Sequence, residues 1–122
     1  MAAHNELGKW GEKIAIQYMV EQGYTLLHHD WRIGHRDIDI VMSKDSTLVF
    51  VEVKTRRNEY FLQAEQAVDA RKILSLTKAA NAYVKRNHFH ANIRFDIVSV
   101  IGTPETGHTI RHIQDAFYPP IT

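Results

Sequence analysis

The sequence contains no cysteine, and this absence excludes a disulfide framework and any thiolate metal site. A chain without thiols also suits a reducing compartment. No apolar run approaches the roughly 20 residues that a membrane-spanning helix requires. The amino-terminal residues lack the apolar core of a signal peptide. We therefore expect a cytoplasmic protein that does not cross a membrane.

Low-complexity tracts, linkers and internal repeats are also missing, so nothing in the sequence marks a domain boundary. The 122 residues are close to the commonest size of a single domain. A chain of this length buries roughly two-thirds of the surface that its unfolded form exposes, and it folds without a covalent staple. We predict one domain over residues 1–122.

The chain has no large excess of one charge, since its net charge is only +1. The charges are nevertheless unevenly distributed. From Lys54 to Arg94 there are nine Lys/Arg against three Asp/Glu, whereas the rest of the chain has six against eleven. A basic half beside an acidic half suits a protein that attracts a polyanion and holds a divalent cation. An ordinary solvated helix face is the alternative, and charge alone favours that alternative.

Two helices are predicted from apolar residues at helical spacing. The first spans about Asn5 to Gln22 and is followed by Gly23, a typical residue just after a helix end. The second follows Asp69, a plausible N-cap, and ends near Asn87. The polar segment from Arg56 to about Gln63 is predicted to be an irregular loop.

Five segments have the composition of strands. They are Thr25–Ile33, Asp37–Val41, Leu48–Val53, Arg94–Ile101 and His108–Gln114. The second alternates polar and apolar side chains, as a half-buried strand does. The third is mostly apolar and β-branched, which is typical of a central strand covered on both faces. The order α-β-β-β-α-β-β predicts an α/β fold with a mixed sheet flanked by helices.

Acidic residues on two of these strands could form a reactive site. Asp37 and Asp39 lie two apart and share a face, and Glu52 and Lys54 share a face of the next strand. A short turn joins the strands, so Asp39 and Glu52 could approach each other. A carboxylate in so apolar a strand is costly without a partner or a cation, and Mg²⁺ accepts such ligands. A polar edge on a solvated sheet face is the alternative.

The spacing of these residues resembles a known nuclease motif. Asp39, followed by a turn and then Glu52-Val53-Lys54, resembles the D…(D/E)-x-K core of the restriction-endonuclease-like superfamily. A longer ordered set of segments is similar to the YraN-type family of uncharacterised proteins, which resembles nucleases of the Holliday-junction-resolvase type. The set consists of Gly8–Glu12, Asp37–Asp39, Val49–Arg56, Ala67–Asp69 with Lys72, Arg94–Asp96 and His112–Phe117.

The resemblance implies a restriction-endonuclease-like fold and a role for several residues. Asp39 and Glu52 would be ligands of Mg²⁺ or Mn²⁺, and Lys54 would be the catalytic lysine. Glu12 would be a further acid that faces the site. Basic residues near the site would contact the phosphates of a nucleic acid through salt-sensitive attraction. These residues are Arg56, Arg57, Arg71 and Lys72.

Several of these residues also have structural interpretations. Glu12 could pair with Lys9 one helical turn back, which is worth about 0.2–0.5 kcal/mol. Lys72 could simply be a solvated residue on the surface of its helix. Arg94 and Asp96 are better explained as a structural ion pair. Core or edge packing is the favoured interpretation of Trp10 and Trp31. The eight histidines lack the spacing of a zinc hydrolase and are expected mainly at the surface.

Three classes of function fit these observations. The leading hypothesis is a metal-dependent endonuclease of nucleic acid, with branched or structured DNA preferred to RNA as the substrate. The second is a nucleic-acid-binding module that has the nuclease fold without catalysis. The third is a protein-interaction role in which the helix between Asp69 and Asn87 docks a partner. A homodimer is left open, because two-fold enzymes often cut two-fold substrates.

Overall fold

The computed structural model describes residues 2–58, 70–88 and 92–117, with side chains described from residue 6 onward. The helices and strands follow the predicted order α-β-β-β-α-β-β. They are α1 (Ala2–Glu21), β1 (Thr25–Ile33), β2 (Arg36–Lys44), β3 (Thr47–Arg56), α2 (Ala70–Asn87), β4 (Asn92–Thr103) and β5 (Gly107–Ile113). Within these residues no helix is both long and apolar enough to span a bilayer.

The five strands form a single mixed sheet in the spatial order β1-β2-β3-β4-β5. Strands β3 and β4 are parallel, and every other neighbouring pair is antiparallel. Parallel neighbours cannot be joined by a tight turn, so the chain crosses over through α2 between β3 and β4. The predicted mixed sheet flanked by helices is confirmed.

The two helices cover opposite faces of the sheet. On one face, Ala15 and Met19 of α1 pack against Val49 and Val51 of β3. On the other face, Tyr83 of α2 packs in a cluster with Phe50 of β3, and the two rings meet edge to face. Strand β3 is therefore covered on both sides, as its apolar composition predicted. The two tryptophans pack as predicted against these clusters, Trp10 on the α1 side and Trp31 on the α2 side.

Some predicted boundaries are wrong, and pairing explains the differences in the strands. Helix α1 begins before Asn5, and β2 extends on both sides of Asp37–Val41 because it pairs with β1 and β3. Arg56 was predicted to open a loop, but it pairs with Ile101 as the last residue of β3. The remainder of that predicted loop beyond residue 58 and the predicted N-cap at 69 lie outside the described residues.

The pairing of β2 with β3 ends at Ile40 and Val51, whereas β3 continues beside β4 as far as Arg56. The alternation of β2 also breaks here, because Ile38 joins the core on the α2 side and Ile40 joins the core on the α1 side. The intervening residue, Asp39, therefore lies where the two strands separate. A gap between neighbouring strands leaves backbone amides that need other acceptors.

A buried polar cluster joins β4 to β5. Asp96 is fully buried and accepts hydrogen bonds at 2.8 Å from two nitrogens of Arg94 and at 2.7 Å from Nε2 of His112. Burial alone would raise the pKa of Asp96, but these bonds hold it below its usual value. The predicted structural ion pair is confirmed. The surface location predicted for histidines is wrong for His112, whose side chain is 7% exposed because it completes this cluster.

Candidate functional site

The predicted pair of acids meets where β2 and β3 separate. The carboxyl groups of Asp39 and Glu52 interact with each other, and the backbone N–H of Val53 donates to Oδ2 of Asp39 at 2.8 Å. Glu52 is only 6% exposed. The side chain of Asp39 thus supplies the acceptor that the separated strand no longer gives to Val53. Two carboxyl groups this close need a proton or a cation between them.

The protonation of Asp39 follows from this environment. Burial is the main cause that raises its pKa, and the hydrogen bond and negative charge of Glu52 raise it further, to about 9. The hydrogen bond from Val53 acts in the opposite direction. At neutral pH the raised pKa favours the protonated form of Asp39. A divalent cation can take the place of such a proton, because metal ligands bind in their deprotonated form.

The second oxygen of Glu52 lies next to a lysine from α2. Nζ of Lys72 is 3.2 Å from Oε2 of Glu52. This oxygen is buried, and the ammonium group of Lys72 supplies its counter-charge. Burial alone would lower the pKa of Lys72, but the attraction of Glu52 outweighs it and raises the pKa. Two neighbouring carboxyl groups supply the oxygen ligands that such cations prefer, so the donor set of Asp39 and Glu52 fits Mg²⁺ or Mn²⁺.

Asp39 faces an open cleft between α1 and the strands. One part of the cleft has a volume of about 330 Å³ and is lined by Leu7, Gly8, Glu12, Asp39, Val53, Lys54, Thr55 and Arg56. A second part of about 500 Å³ shares Gly8, Glu12 and Asp39 and adds Lys9, Asp30, Arg32 and Asp37. Three of the four predicted catalytic residues therefore line one cleft, and the fourth, Glu52, lies behind Asp39.

Glu12 enters the cleft from α1. Burial raises its pKa, and the negative charge of Asp30 raises it further. The structural alternative for this residue is not supported, because no ion pair joins Glu12 to Lys9 in the described part of the chain. The preceding residue, Gly11, lies so close to β3 that a Cβ atom there would overlap the side chain of Thr55. This close approach sets the position of Glu12.

Sequence reasoning missed two residues beside Glu12. The ligand atoms of Glu12, His29 and Asp30 all lie within 4.8 Å of one another. The run His28-His29-Asp30 in β1 was a signal, since both residue types bind metals, but the order of residues did not place β1 beside α1. His29 and Asp30 are exposed. Such groups are common without a metal ion, so this trio by itself does not indicate a metal site.

The four basic residues predicted to contact phosphates form two groups. Arg56 lines the cleft beside Lys54 and donates to the carbonyl of Thr55 at 2.8 Å. Arg57 follows the end of β3 and is exposed. Arg71 and Lys72 are the second and third residues of α2. Arg71 is exposed, whereas Lys72 reaches Glu52. Positive groups thus lie at the end of β3 and at the start of α2.

Comparison with known proteins identifies the family. A family model described as "Uncharacterised protein family UPF0102" matches residues 11–100, the range that contains the four predicted catalytic residues. The chain belongs to family UPF0102. A UPF0102 protein of Bacteroides thetaiotaomicron is 52% identical over 122 residues, which cover 99% of each chain. Another of Parabacteroides distasonis is 45% identical over 120 residues, covering 98% of each chain. These matches confirm the resemblance to an uncharacterised family; the names of the UPF0102 relatives state no activity.

Proposed function

We propose that the protein is a metal-dependent endonuclease of nucleic acid. The supporting observation is that the carboxyl group of Asp39 lies against that of the buried Glu52 and faces a cleft that Lys54 also lines. A carboxyl group in a cleft whose pKa is strongly shifted, as that of Asp39 is, is typical of reactive sites. A structural ion pair joins an acid to a basic side chain, whereas a cation site brings two acids together, as Asp39 and Glu52 are here.

Asp39 and Glu52 would hold Mg²⁺ or Mn²⁺, and Asp39 would lose its proton when the cation binds. A bound cation would supply an activated water and neutralise charge on the phosphate. Lys54 would orient that water or stabilise negative charge that develops on the phosphate oxygens. Glu12 would face the same cleft from α1 and hold solvent or substrate through its carboxyl group.

The proposed substrate is DNA in preference to RNA, in a branched or structured form. Arg56 and Arg57 at one side and Arg71 and Lys72 at the other would contact backbone phosphates, which carry no sequence information. The absence of cysteine is in keeping with a cytoplasmic location, which we include in the proposal. A homodimer stays a prediction.

Cleavage assays with nicked, flapped and four-way DNA in Mg²⁺ or Mn²⁺ test the proposal. We expect Lys54→Ala to bind DNA nearly as well as the wild type and to cut it about 10²- to 10⁴-fold more slowly, the usual loss when a proton-transfer group is removed. Lys44→Ala is the matched control, because Lys44 is an exposed lysine that bonds to the carbonyl of Gln22 and does not line the cleft.

The alternative is a nucleic-acid-binding module without catalysis. The observation that favours it is the burial of Glu52 beside Lys72, because a buried carboxylate paired with an ammonium group is also a stable structural unit. Under this alternative, Lys54→Ala matches the wild type in both binding and cleavage. Wild-type protein that binds metal and DNA but cuts none of the three substrates would decide for the module.

A further inference from the structure

The contact of Lys72 with a buried carboxylate is not explained by the two simpler roles of this residue, which are attraction of phosphates and solvation of the helix surface. It is the third residue of α2, and its ammonium nitrogen lies 3.2 Å from Oε2 of Glu52 on the central strand β3. The two side chains differ in burial, since Glu52 is 6% exposed and Lys72 is 40% exposed. The positive end of a half-exposed side chain therefore covers the buried oxygen that a cation would need.

Two cations compete for this oxygen. Lys72 neutralises Glu52 in the protein without metal, which a buried carboxylate requires if it is to remain charged. A divalent cation bound between Asp39 and Glu52 would bring a second, larger positive charge against the ammonium group, and like charges at that distance repel strongly. Only one of them can be the main counter-charge of Glu52.

We propose that Lys72 is the built-in counter-cation of Glu52, which a divalent cation displaces, and that the released ammonium group then binds a phosphate of the nucleic acid. The inference rests on the proposed function, because it assigns the metal site to Asp39 and Glu52. It makes Lys72 a positioning residue that links the loading of the metal to the capture of the polyanion.

The chain favours such a movement. Lysine has a flexible four-carbon stem, so its ammonium group can leave one oxygen without moving the backbone of the helix. Helix α2 has five Lys/Arg and no Asp/Glu, so its own residues offer no carboxylate that would capture the displaced group. Arg71 precedes Lys72 and is exposed, so the released ammonium would join an existing cationic surface.

Calorimetric titration of the metal-free protein with Mn²⁺ tests the inference. We expect Lys72→Met to bind Mn²⁺ roughly tenfold more tightly than the wild type, because a competing positive charge has been removed. Arg86→Met is the matched control: it removes one positive charge from an exposed position of the same helix, and its Mn²⁺ affinity should equal that of the wild type. Equal or weaker binding by Lys72→Met overturns the inference.

The wild-type titration reports on the proposed function separately. If neither the wild type nor Lys72→Met binds Mn²⁺, both the metal site and the inference fail. If the wild type binds and the ratio of affinities is one, only the inference fails. Tight binding by Lys72→Met alone supports displacement, since the competing ammonium group would then be what prevents binding in the wild type.

Loss of Lys72 leaves Glu52 without a counter-charge, so Lys72→Met could fail to fold without metal. Lys72→Gln lowers this risk, because its neutral amide can still donate a hydrogen bond to Oε2, and it should also bind Mn²⁺ more tightly than the wild type. A crystal of the wild type soaked with Mn²⁺ gives an independent measurement. The distance between Nζ of Lys72 and Oε2 of Glu52 should then exceed that of an ion pair. An unchanged contact beside bound Mn²⁺ contradicts displacement.

Discussion

At the scale of single residues, Asp39 combines a structural and a chemical task. Its carboxyl group accepts from the backbone of Val53 where the β2–β3 pairing ends, and it also interacts with the carboxyl group of Glu52. The first task requires only an oxygen, but the second requires a proton at neutral pH. A residue kept for the structure alone could be asparagine, which offers both an acceptor and a donor.

The variant Asp39→Asn tests this interpretation through stability. The pKa of Asp39 is about 9 in the folded protein and near 3.8 when unperturbed. Between these values the unfolded chain loses a proton that the folded chain keeps, so stability falls as pH rises. Asparagine has no such proton. We expect the melting temperature of the metal-free variant to exceed that of the wild type at pH 8 and to decline less between pH 5 and pH 9.

The control for this prediction is Glu105→Gln, which removes one carboxyl group from an exposed turn. Its melting temperature should follow the wild-type pH dependence. An Asp39→Asn variant whose pH dependence also matches that of the wild type would show that Asp39 is already ionised at neutral pH, which would contradict its raised pKa.

At the scale of helices and strands, local patterns predicted most of the fold. The apolar run of β3 identified the central strand, and the helical spacing of apolar residues located α1 and α2. The approach of Asp39 to Glu52 could also be predicted, because two adjacent strands joined by a short turn fix it. These features depend on periodicity and on neighbours in the chain.

The remaining features depend on packing between distant segments. The pairing of Lys72 with Glu52 requires α2 to lie on one face of β3, and the approach of His29 and Asp30 to Glu12 requires α1 to lie beside β1. His112 was misplaced for the same reason, since its partner Asp96 comes from another strand. Residue spacing alone does not determine which face a helix covers.

The close approach of α1 to β3 at Gly11 gives a prediction at this scale. A Cβ atom at Gly11 would lie 2.8 Å from Cγ2 of Thr55, closer than packed atoms allow. We expect Gly11→Ala to lower the free energy of unfolding by about 1–3 kcal/mol, the usual cost of overpacking. It should also weaken Mn²⁺ binding, because Glu12 would move with the helix. Chemical denaturation and metal titration measure the two effects.

The chain supplies both controls for this variant. A Cβ atom at Gly8, one turn earlier in the same helix, meets nothing within 4 Å. Gly8→Ala should therefore be neutral, or stabilising by up to about 1 kcal/mol through helix propensity. The double variant Gly11→Ala/Thr55→Ala should recover part of the stability, because it removes Oγ1 and Cγ2 of Thr55 and leaves only its Cβ atom in the overlap. Additive effects of the two substitutions would argue against a direct overlap.

At the scale of the whole molecule, the near-neutral net charge conceals a cationic surface. Helix α2 carries five Lys/Arg and no Asp/Glu, and its exposed residues Arg71, Lys78 and Lys85 are spaced by seven. Residues at this spacing lie along nearly the same side of a helix, over roughly 21 Å here. These three residues form a cationic stripe. Its first residue, Arg71, precedes Lys72, so the stripe begins close to Asp39 and Glu52.

If a nucleic acid is the substrate, this stripe is where its backbone should lie. Each phosphate that the protein neutralises adds about 0.9 to the steepness with which log affinity for duplex DNA falls against log salt. We expect Lys78→Glu/Lys85→Glu to weaken DNA binding at low salt and to reduce that steepness by about two, while Mn²⁺ binding stays unchanged. Fluorescence anisotropy over a range of salt concentrations measures both the affinity and the slope.

The matched control is Lys13→Glu/Lys44→Glu, which changes the net charge equally at exposed positions outside α2. General attraction of a polyanion depends on total charge, so it would make the two double variants alike. A defined track along α2 would make them differ, because only phosphates near the helix release their counterions. Equal slopes for both variants would place the nucleic acid elsewhere and leave α2 free for the protein-docking role considered from the sequence.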